Sequence, residues 1–553
     1  MKTKNQQILL ILIFSVLSFF LGAYLMDFME NESNENAEGA AELLGIEFTD
    51  NELDSLSGNL NDLLVDYKAI RDLDMPNSAW PAIQFNPIPV GFEFPNVQKA
   101  LKFDNYEETQ LPENKDDLAY YSIGQLAELI RTEKITSVEL TTYFIDRLKK
   151  YDPMIHCVIT PTYDLAMEQA QKADEEIAAG NYKGMLHGIP FGVKDLLAAK
   201  NYKTTFGAAA YKDQIIDMDA TVVQKLREAG AVLVAKLSLG ALAMDDVWFD
   251  AMTKNPWDTL VGSSGSSAGP AAAVSAGLLP FAIGSETWGS IVSPSNRCGV
   301  TGLRPTYGRV SRTGGMALSW TMDKLGPICR NVEDCAIVFD AIYGPDGEDQ
   351  TIYDVPFNYN HEINFSTLKI GYLKNEFEKD SAWMDENKAA LKKLEEMGAE
   401  LIPIELPDLP IWNISFVLTA ESAAAFDELT LSGRDDLLVL QHRNAWPNIF
   451  RFSRFIPAVE YIQANRVRYL LIQEMDKMMK DIDLMVAPSF GKNLLTTNLT
   501  GHPTVVVPNG FESEKQPLSI VFTGKLFDEG MILSVAKAYQ DATGHHLKRP
   551  QLD

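Results

Sequence analysis

Residues 261–295 read VGSSGSSAGPAAAVSAGLLPFAIGSETWGSIVSPS. A Ser/Gly run opens the stretch, a small-residue apolar segment follows, and a second Ser/Gly turn ends at Gly289-Ser290. Glycine adopts backbone angles closed to other residues and lets N–H groups approach a ligand. Pro270 with three alanines and a valine behind it reads as a helix start, because proline is tolerated at the first helical position. Residues 279–284, LPFAIG, read as a short buried strand entering the second turn. Two serine-bearing turns are therefore expected at opposite ends of one helix–strand unit, with Ser266 or Ser267 close to Ser290. A Ser/Gly run is more commonly a flexible linker. This one is short, is flanked by apolar segments, and is followed by a second Gly-Ser turn within one unit, none of which a linker needs.

A hydroxyl is a weak nucleophile and needs a base. The seven histidines, at 156, 187, 361, 442, 502, 545 and 546, form no nucleophile–base motif. A lysine serves instead when burial keeps its amine neutral. Lys194 is the candidate: it closes GIPFGVKD (188–195), in which residues 190–193 read as an apolar, Gly-punctuated strand.

These stretches carry a family resemblance. GIPFGVKD (188–195), GSSAGPAAAVSAG (265–277) and GSETWGSI (284–291) resemble the amidase signature family of serine hydrolases. The likeness continues through CGVTGLRPTYGRVSRTGG (298–315), LGPICRNVEDCA (325–336) and GHPTVVVPNGF (501–511), so it spans roughly residues 118–550. The resemblance implies an α/β amidase-signature fold, a large mixed β-sheet covered by helices on both faces. It also implies a Ser–cis-Ser–Lys triad. The nucleophile maps to Ser290 and the base to Lys194. Two serine pairs, Ser263-Ser264 and Ser266-Ser267, compete for the bridging role, and gap-free alignment of AAAVSAG (271–277) selects Ser266, with Ser267 beside it. The backbone N–H groups of Thr287, Trp288, Gly289 and Ser290 would face the oxyanion, and Asp195 and Glu286 would support the loops. Many relatives have Gly-Gly-Ser-Ile-Arg where this chain has Trp288-Gly289-Ser290-Ile291-Val292, and Glu286 replaces a commoner Asp. The substrate therefore does not transfer from better-known relatives, although an indole at 288 would narrow the acyl pocket.

The expected function is hydrolysis of a small-molecule or peptide amide through an acyl-enzyme. The alternatives are the A-type component of a glutamyl-tRNA amidotransferase, which shares the triad, and a non-catalytic amidase-like binding protein. No CxxC or HExxH spacing occurs, so neither metal nor cofactor is expected, and the four cysteines read as buried thiols. Forty-eight basic against 76 acidic residues give a net charge of −28, which disfavours nucleic acid and anionic membrane surfaces.

The chain's 553 residues exceed one ordinary domain. Lys2 and Lys4, an apolar run over 8–26 and an acidic flank make residues 1–26 a signal peptide or membrane anchor, placing the remainder outside the cytoplasmic membrane. Residues 27–114 read as a partly flexible extension, with a helix over 53–73 and a stretch of prolines and aromatics over 76–95 that packs across the main domain. Residues 115–553 are the amidase domain. There, helices over 122–133, 161–179, 221–229, 386–397, 459–479 and 529–542 alternate with strands over 231–236, 368–372, 400–404, 484–487, 503–507 and 518–522, and Thr136 with Glu139 forms a capping box.

Overall fold

Among the described residues there are thirteen strands, most of them apolar runs bounded by turn residues: β1 Val158–Pro161, β2 Pro190–Lys194, β3 Val232–Leu237, β4 Lys254–Asn255, β5 Asp258–Gly262, β6 Phe281–Glu286, β7 Thr301–Arg304, β8 Lys324–Cys329, β9 Lys369–Leu373, β10 Glu400–Ile404, β11 Leu484–Pro488, β12 Thr504–Ser513 and β13 Gln516–Gly524. The computed structural model describes Ser18 and residues 34–73, 75–79, 81–379 and 383–552. Eleven strands make one sheet in the order β1-β3-β2-β6-β8-β7-β12-β13-β11-β9-β10, and β4 pairs with β5 in a separate hairpin. The sheet is mixed: β2 runs parallel to β3 and β6, whereas β8 is antiparallel to both β6 and β7.

The central strands β2, β3, β6 and β8 are buried at every residue. A strand covered on both faces reads as a continuous apolar run rather than an alternating one. The alternation appears instead in which core each side chain joins. Phe191, Val193, Phe281 and Ile283 meet the helices Ile123–Arg131, Thr221–Glu228, Val332–Ile342 and Glu529–Thr543. Val232, Val234, Ala282 and Ile328 turn the other way, toward helices Ser137–Ile155, Tyr163–Ala178 and Ala268–Ser275. Helices thus cover both faces of the sheet, as an α/β layer architecture requires. Lys194 follows Val193, so it projects to the side of helix Ala268–Ser275.

Two units divide the chain, residues 1–79 and 80–553. In the first, residues 34–44 are helical, where a polar, partly flexible stretch is expected, and Asp50–Arg71 forms a second helix with a Thr49–Glu52 capping box. Ala37, Ala40 and Ala41 explain the first helix, alanine being the strongest helix former. Within the second unit, residues 85–94 of the proline-rich stretch lie across the main body. Phe85 meets Tyr307 edge-on at 5.0 Å and takes the Arg468 guanidinium over its ring at 3.6 Å. Phe92 and Phe94 pack around Phe527.

The expected membrane anchor or signal segment falls on residues 1–26, which lie outside the described residues apart from Ser18. Among the described residues no helix is long and apolar enough to cross a membrane. Helix Asp50–Arg71 has the length, at 22 residues, but carries Asp50, Glu52, Lys68 and Arg71. The expectation of a chain anchored in, or exported across, the membrane is corrected on the relatives described below.

Candidate active site

The carboxyl ends of β2 and β6 meet the amino end of helix Ala268–Ser275, a common position for ligand sites in open α/β sheets. Two glycines make the approach feasible. A Cβ at Gly284 would fall 2.8 Å from Ser267 Oγ, and one at Gly265 would fall 1.8 Å from the Asp245 carbonyl oxygen. The Gly265–Ser266 peptide bond is cis.

Lys194 is wholly buried, and its Nζ sits 2.7 Å from Ser266 Oγ, 3.2 Å from Ser267 Oγ and 2.9 Å from Ser285 Oγ. Burial drives its amine well below the ordinary lysine value, with the charges of Asp323 and Glu286 opposing the shift. The two serines differ in how their hydroxyls are held. Ser267 Oγ donates to the Ser285 carbonyl at 3.0 Å and accepts the Ser285 N–H at 3.1 Å, so its single proton is committed to the β6 backbone. Ser266 Oγ is hydrogen-bonded to Lys194 Nζ, and its proton is not committed to the β6 backbone. The Ser267 N–H donates to the Ser290 carbonyl at 3.1 Å, which ties the first turn to the second. Ser290 itself is half-buried.

The other serine pair lies elsewhere. Ser264 N–H donates to Asp246 at 2.8 Å and its hydroxyl meets Ser293 Oγ at 2.8 Å, while Ser263 Oγ donates to the Ser264 carbonyl at 3.0 Å. The structure therefore brings Lys194 against Ser266 and Ser267 and leaves Ser263 and Ser264 in the neighbouring loop.

Glu286 and Asp195 anchor the two loops. Glu286 Oε2 accepts the N–H groups of Ile291 and Val292 at 2.8 and 3.0 Å, and Oε1 accepts from Arg304 and Asn498, both at 2.8 Å. All of this is buried. Burial alone would raise the Glu286 carboxyl, but the Arg304 guanidinium and these N–H groups hold it at about 2. Arg304 is in turn shared with Thr497, Thr504 and the His502 carbonyl. Asp195 Oδ2 accepts from the Thr205 N–H and hydroxyl, and Oδ1 lies 2.7 Å from Lys236 Nζ in an ion pair without hydrogen-bond alignment. Thr287 Oγ1 donates to Asp323 at 2.6 Å, fixing the start of the turn that leads through Trp288 and Gly289 (φ 90°) to Ser290.

Ser285, Arg304, Asp323 and Asn498 also belong to the site, and sequence reasoning does not find them. Arg304 and Asp323 sit in or beside family-like stretches, whereas Asn498 is 212 residues from its Glu286 partner and carries no local signal. Val292, where the resemblance has Arg, packs in an apolar cluster with Met485, Ala487 and Val506. Lys324, opposite Glu286 across β6 and β8, is buried with no hydrogen-bond partner for its Nζ among the described residues. Among the described residues no group of three or more His, Cys, Asp or Glu side chains is arranged to hold a metal ion, and all four cysteines are buried free thiols.

Glu286 makes stability pH-dependent. A carboxylate lowered from 4.5 to about 2 contributes stability that is full above pH 4.5 and is lost as the pH falls toward 2, by roughly 3 kcal/mol. Glu286→Gln is expected to remove that slope and to lower stability at neutral pH by about 3–5 kcal/mol, because buried Arg304 loses its counter-charge. Urea midpoints of both proteins across pH 2–7 would check this expectation, and parallel curves would count against it.

The sequence comparison gives the class of protein in which this buried lysine–serine cluster on a mixed α/β sheet occurs. The amidase family model matches residues 139–497, and the chain belongs to the amidase (amidase signature) family. It is 34% identical over 492 residues to the A component of the glutamyl-tRNA(Gln) amidotransferase of Acinetobacter baumannii, covering 78% of this chain and 98% of that one. An amidase family protein from Bacillus anthracis superposes with a TM-score of 0.72 at 27% identity, over 79% of this chain and 93% of that chain. The native peptide amidase of Stenotrophomonas maltophilia superposes with a TM-score of 0.69 at 27% identity, over 78% and 98%. The fold is thus the amidase-signature fold, and the protein is an enzyme of the amide C–N class. The amidotransferase relatives, named for glutamyl-tRNA(Gln), also count against the expected export.

Proposed function

We propose that this chain is a serine amidase that hydrolyses a carboxylic amide to a carboxylate and an amine or ammonia, within a catalytic domain spanning residues 115–553. The observation that carries the reading is the wholly buried Lys194 Nζ, 2.7 Å from Ser266 Oγ in a turn tied to Ser290. Neutral Lys194 takes a proton from Ser266 as Ser266 takes one from Ser290. Ser290 Oγ bonds to the amide carbon, and the carbonyl oxygen gains charge facing the N–H groups of residues 287–290. Preorganised donors of this kind are each worth on the order of 10²–10³ in rate. The proton then returns through Ser266 to the leaving nitrogen as the C–N bond breaks. Water attacks the Ser290 ester by the same relay and releases the acid. Asp195 and Glu286 are positioning residues that hold the two loops.

A second reading follows from the 34% identity to the amidotransferase A components: the same Ser290 chemistry would release ammonia for transfer in a complex with partner proteins. A non-catalytic binding role is disfavoured by the presence of Lys194, Ser266 and Ser290 together. The test is a panel of carboxylic amides, glutamine included, offered to the purified full chain alone, with amine or ammonia release measured. Hydrolysis by the lone chain is the expected result. Glutamine hydrolysis that appears only with an added partner protein would favour the second reading.

A further inference from the structure

Trp288 stands two residues before Ser290 in the turn between β6 and helix Val292–Cys298. A large indole in that turn is 36% exposed. Its ring lies 5.9 Å from that of Trp412 at 47°, and Trp412 is 53% exposed. Neither is loosely held. Trp288 is bracketed by Thr287, bonded to Asp323, and by Gly289. Trp412 rides on the short turn Ile411–Ile414, whose two isoleucines are buried at 0% and 5% exposure. Leu494 completes the patch: a Cβ added at Gly289 would meet Leu494 Cδ2 at 3.3 Å. Three apolar groups from separate parts of the chain thus flank the turn that carries Ser290, with two indoles left half open. Ligand sites are typically walled in this way, by aromatic side chains around a few polar groups.

Resting on the amidase reading, we infer that Trp288 and Trp412 form a specificity wall that takes an aromatic ring borne by the substrate next to its scissile amide. An offset or tilted ring partner gains dispersion and quadrupole contacts that a small aliphatic group lacks. The contact is made in the bound amide as well as in the transition state, so it acts on binding rather than on the chemical step.

Three amides separate the cases: phenylacetamide carries the ring on the acyl side, acetanilide carries it on the nitrogen, and acetamide has none. At least one ring-bearing amide is expected to show a KM below that of acetamide. In Trp412→Ala that KM should rise roughly twofold to tenfold with kcat nearly unchanged and acetamide unaffected. Trp412→Phe should recover most of the loss, and Trp288→Gly should move KM in the same direction. Which of the two ring-bearing amides responds identifies the side of the bond that the wall serves. Calorimetric binding of the same three amides to Ser290→Ala gives a readout that needs no turnover. An active Ser290→Ala would defeat the amidase mechanism but leave the binding comparison intact. Ring-bearing amides that bind no tighter than acetamide, or a preference untouched by Trp412→Ala in folded protein, would overturn the inference.

Discussion

Ser290→Ala is expected to abolish amide turnover, with kcat falling by on the order of 10⁴–10⁶, as for a nucleophile that acts as one unit with its base. The variant should fold normally, because the residue is half-buried and the change removes one hydroxyl. The tie between the turns survives: Ser267 N–H donates to the backbone carbonyl of residue 290, not to its side chain. Steady-state hydrolysis of one accepted amide, beside a thermal melt of both proteins, checks the expectation. Turnover within tenfold of wild type would remove Ser290 from the chemistry.

Lys194→Ala and Ser266→Ala are expected to lose 10²–10⁴ in kcat, roughly the span of a positioned acid–base group. Ser263→Ala should lose far less. The contrast rests on geometry: Lys194 Nζ lies 2.7 Å from Ser266 Oγ, whereas Ser263 Oγ is spent on the Ser264 carbonyl. The pH profile carries the second half of this prediction. Burial holds the Lys194 amine well below the usual 10.5. The neutral, proton-accepting form is therefore present above that lowered value and lost as the pH falls through it. Wild-type kcat/KM should rise with pH to a plateau reached well below 10.5, and Lys194→Ala should lose that rising limb. A dead Ser263→Ala beside an active Ser266→Ala would place the relay on the other pair.

The parts of the fold legible in the sequence are those with local signals. Strand Glu400–Ile404 has the expected bounds, helix Ala458–Met479 starts one residue early, and the capping box of Thr136 and Glu139 forms as its spacing implies. Boundaries shift where tertiary contacts intervene. The helix expected to start at Pro270 begins at Ala268, with Ser267 at its cap, because that serine is drawn onto Ser285 and Lys194. Strands expected over 503–507 and 518–522 extend to Thr504–Ser513 and Gln516–Gly524, through a polar hairpin tip whose exposed residues hide the pattern. The helices between residues 411 and 453 run to 10 residues at most, too short for periodicity to reveal them.

At the candidate site, the residues named from motifs are the ones within a few residues of a glycine turn or a strand end. Of those missed, Ser285 lies inside the quoted stretch GSETWGSI but gives no signal of its own beside Glu286 and Ser290, whereas Asn498 arrives from helix Lys492–Thr500 to meet the Glu286 carboxylate. A cross-strand or interhelical partner leaves no trace in local periodicity, so only the folded chain could supply it.

The proposed mechanism turns on Ser290 as the acylated nucleophile. The most direct measurement is peptide mapping by mass spectrometry after the full chain reacts with a fluorophosphonate, which bonds covalently to an activated serine hydroxyl. A single adduct on Ser290 is expected, absent from Ser290→Ala and strongly slowed in Lys194→Ala. An adduct on Ser266 or Ser263, or labelling of Ser290→Ala at the wild-type rate, would contradict it.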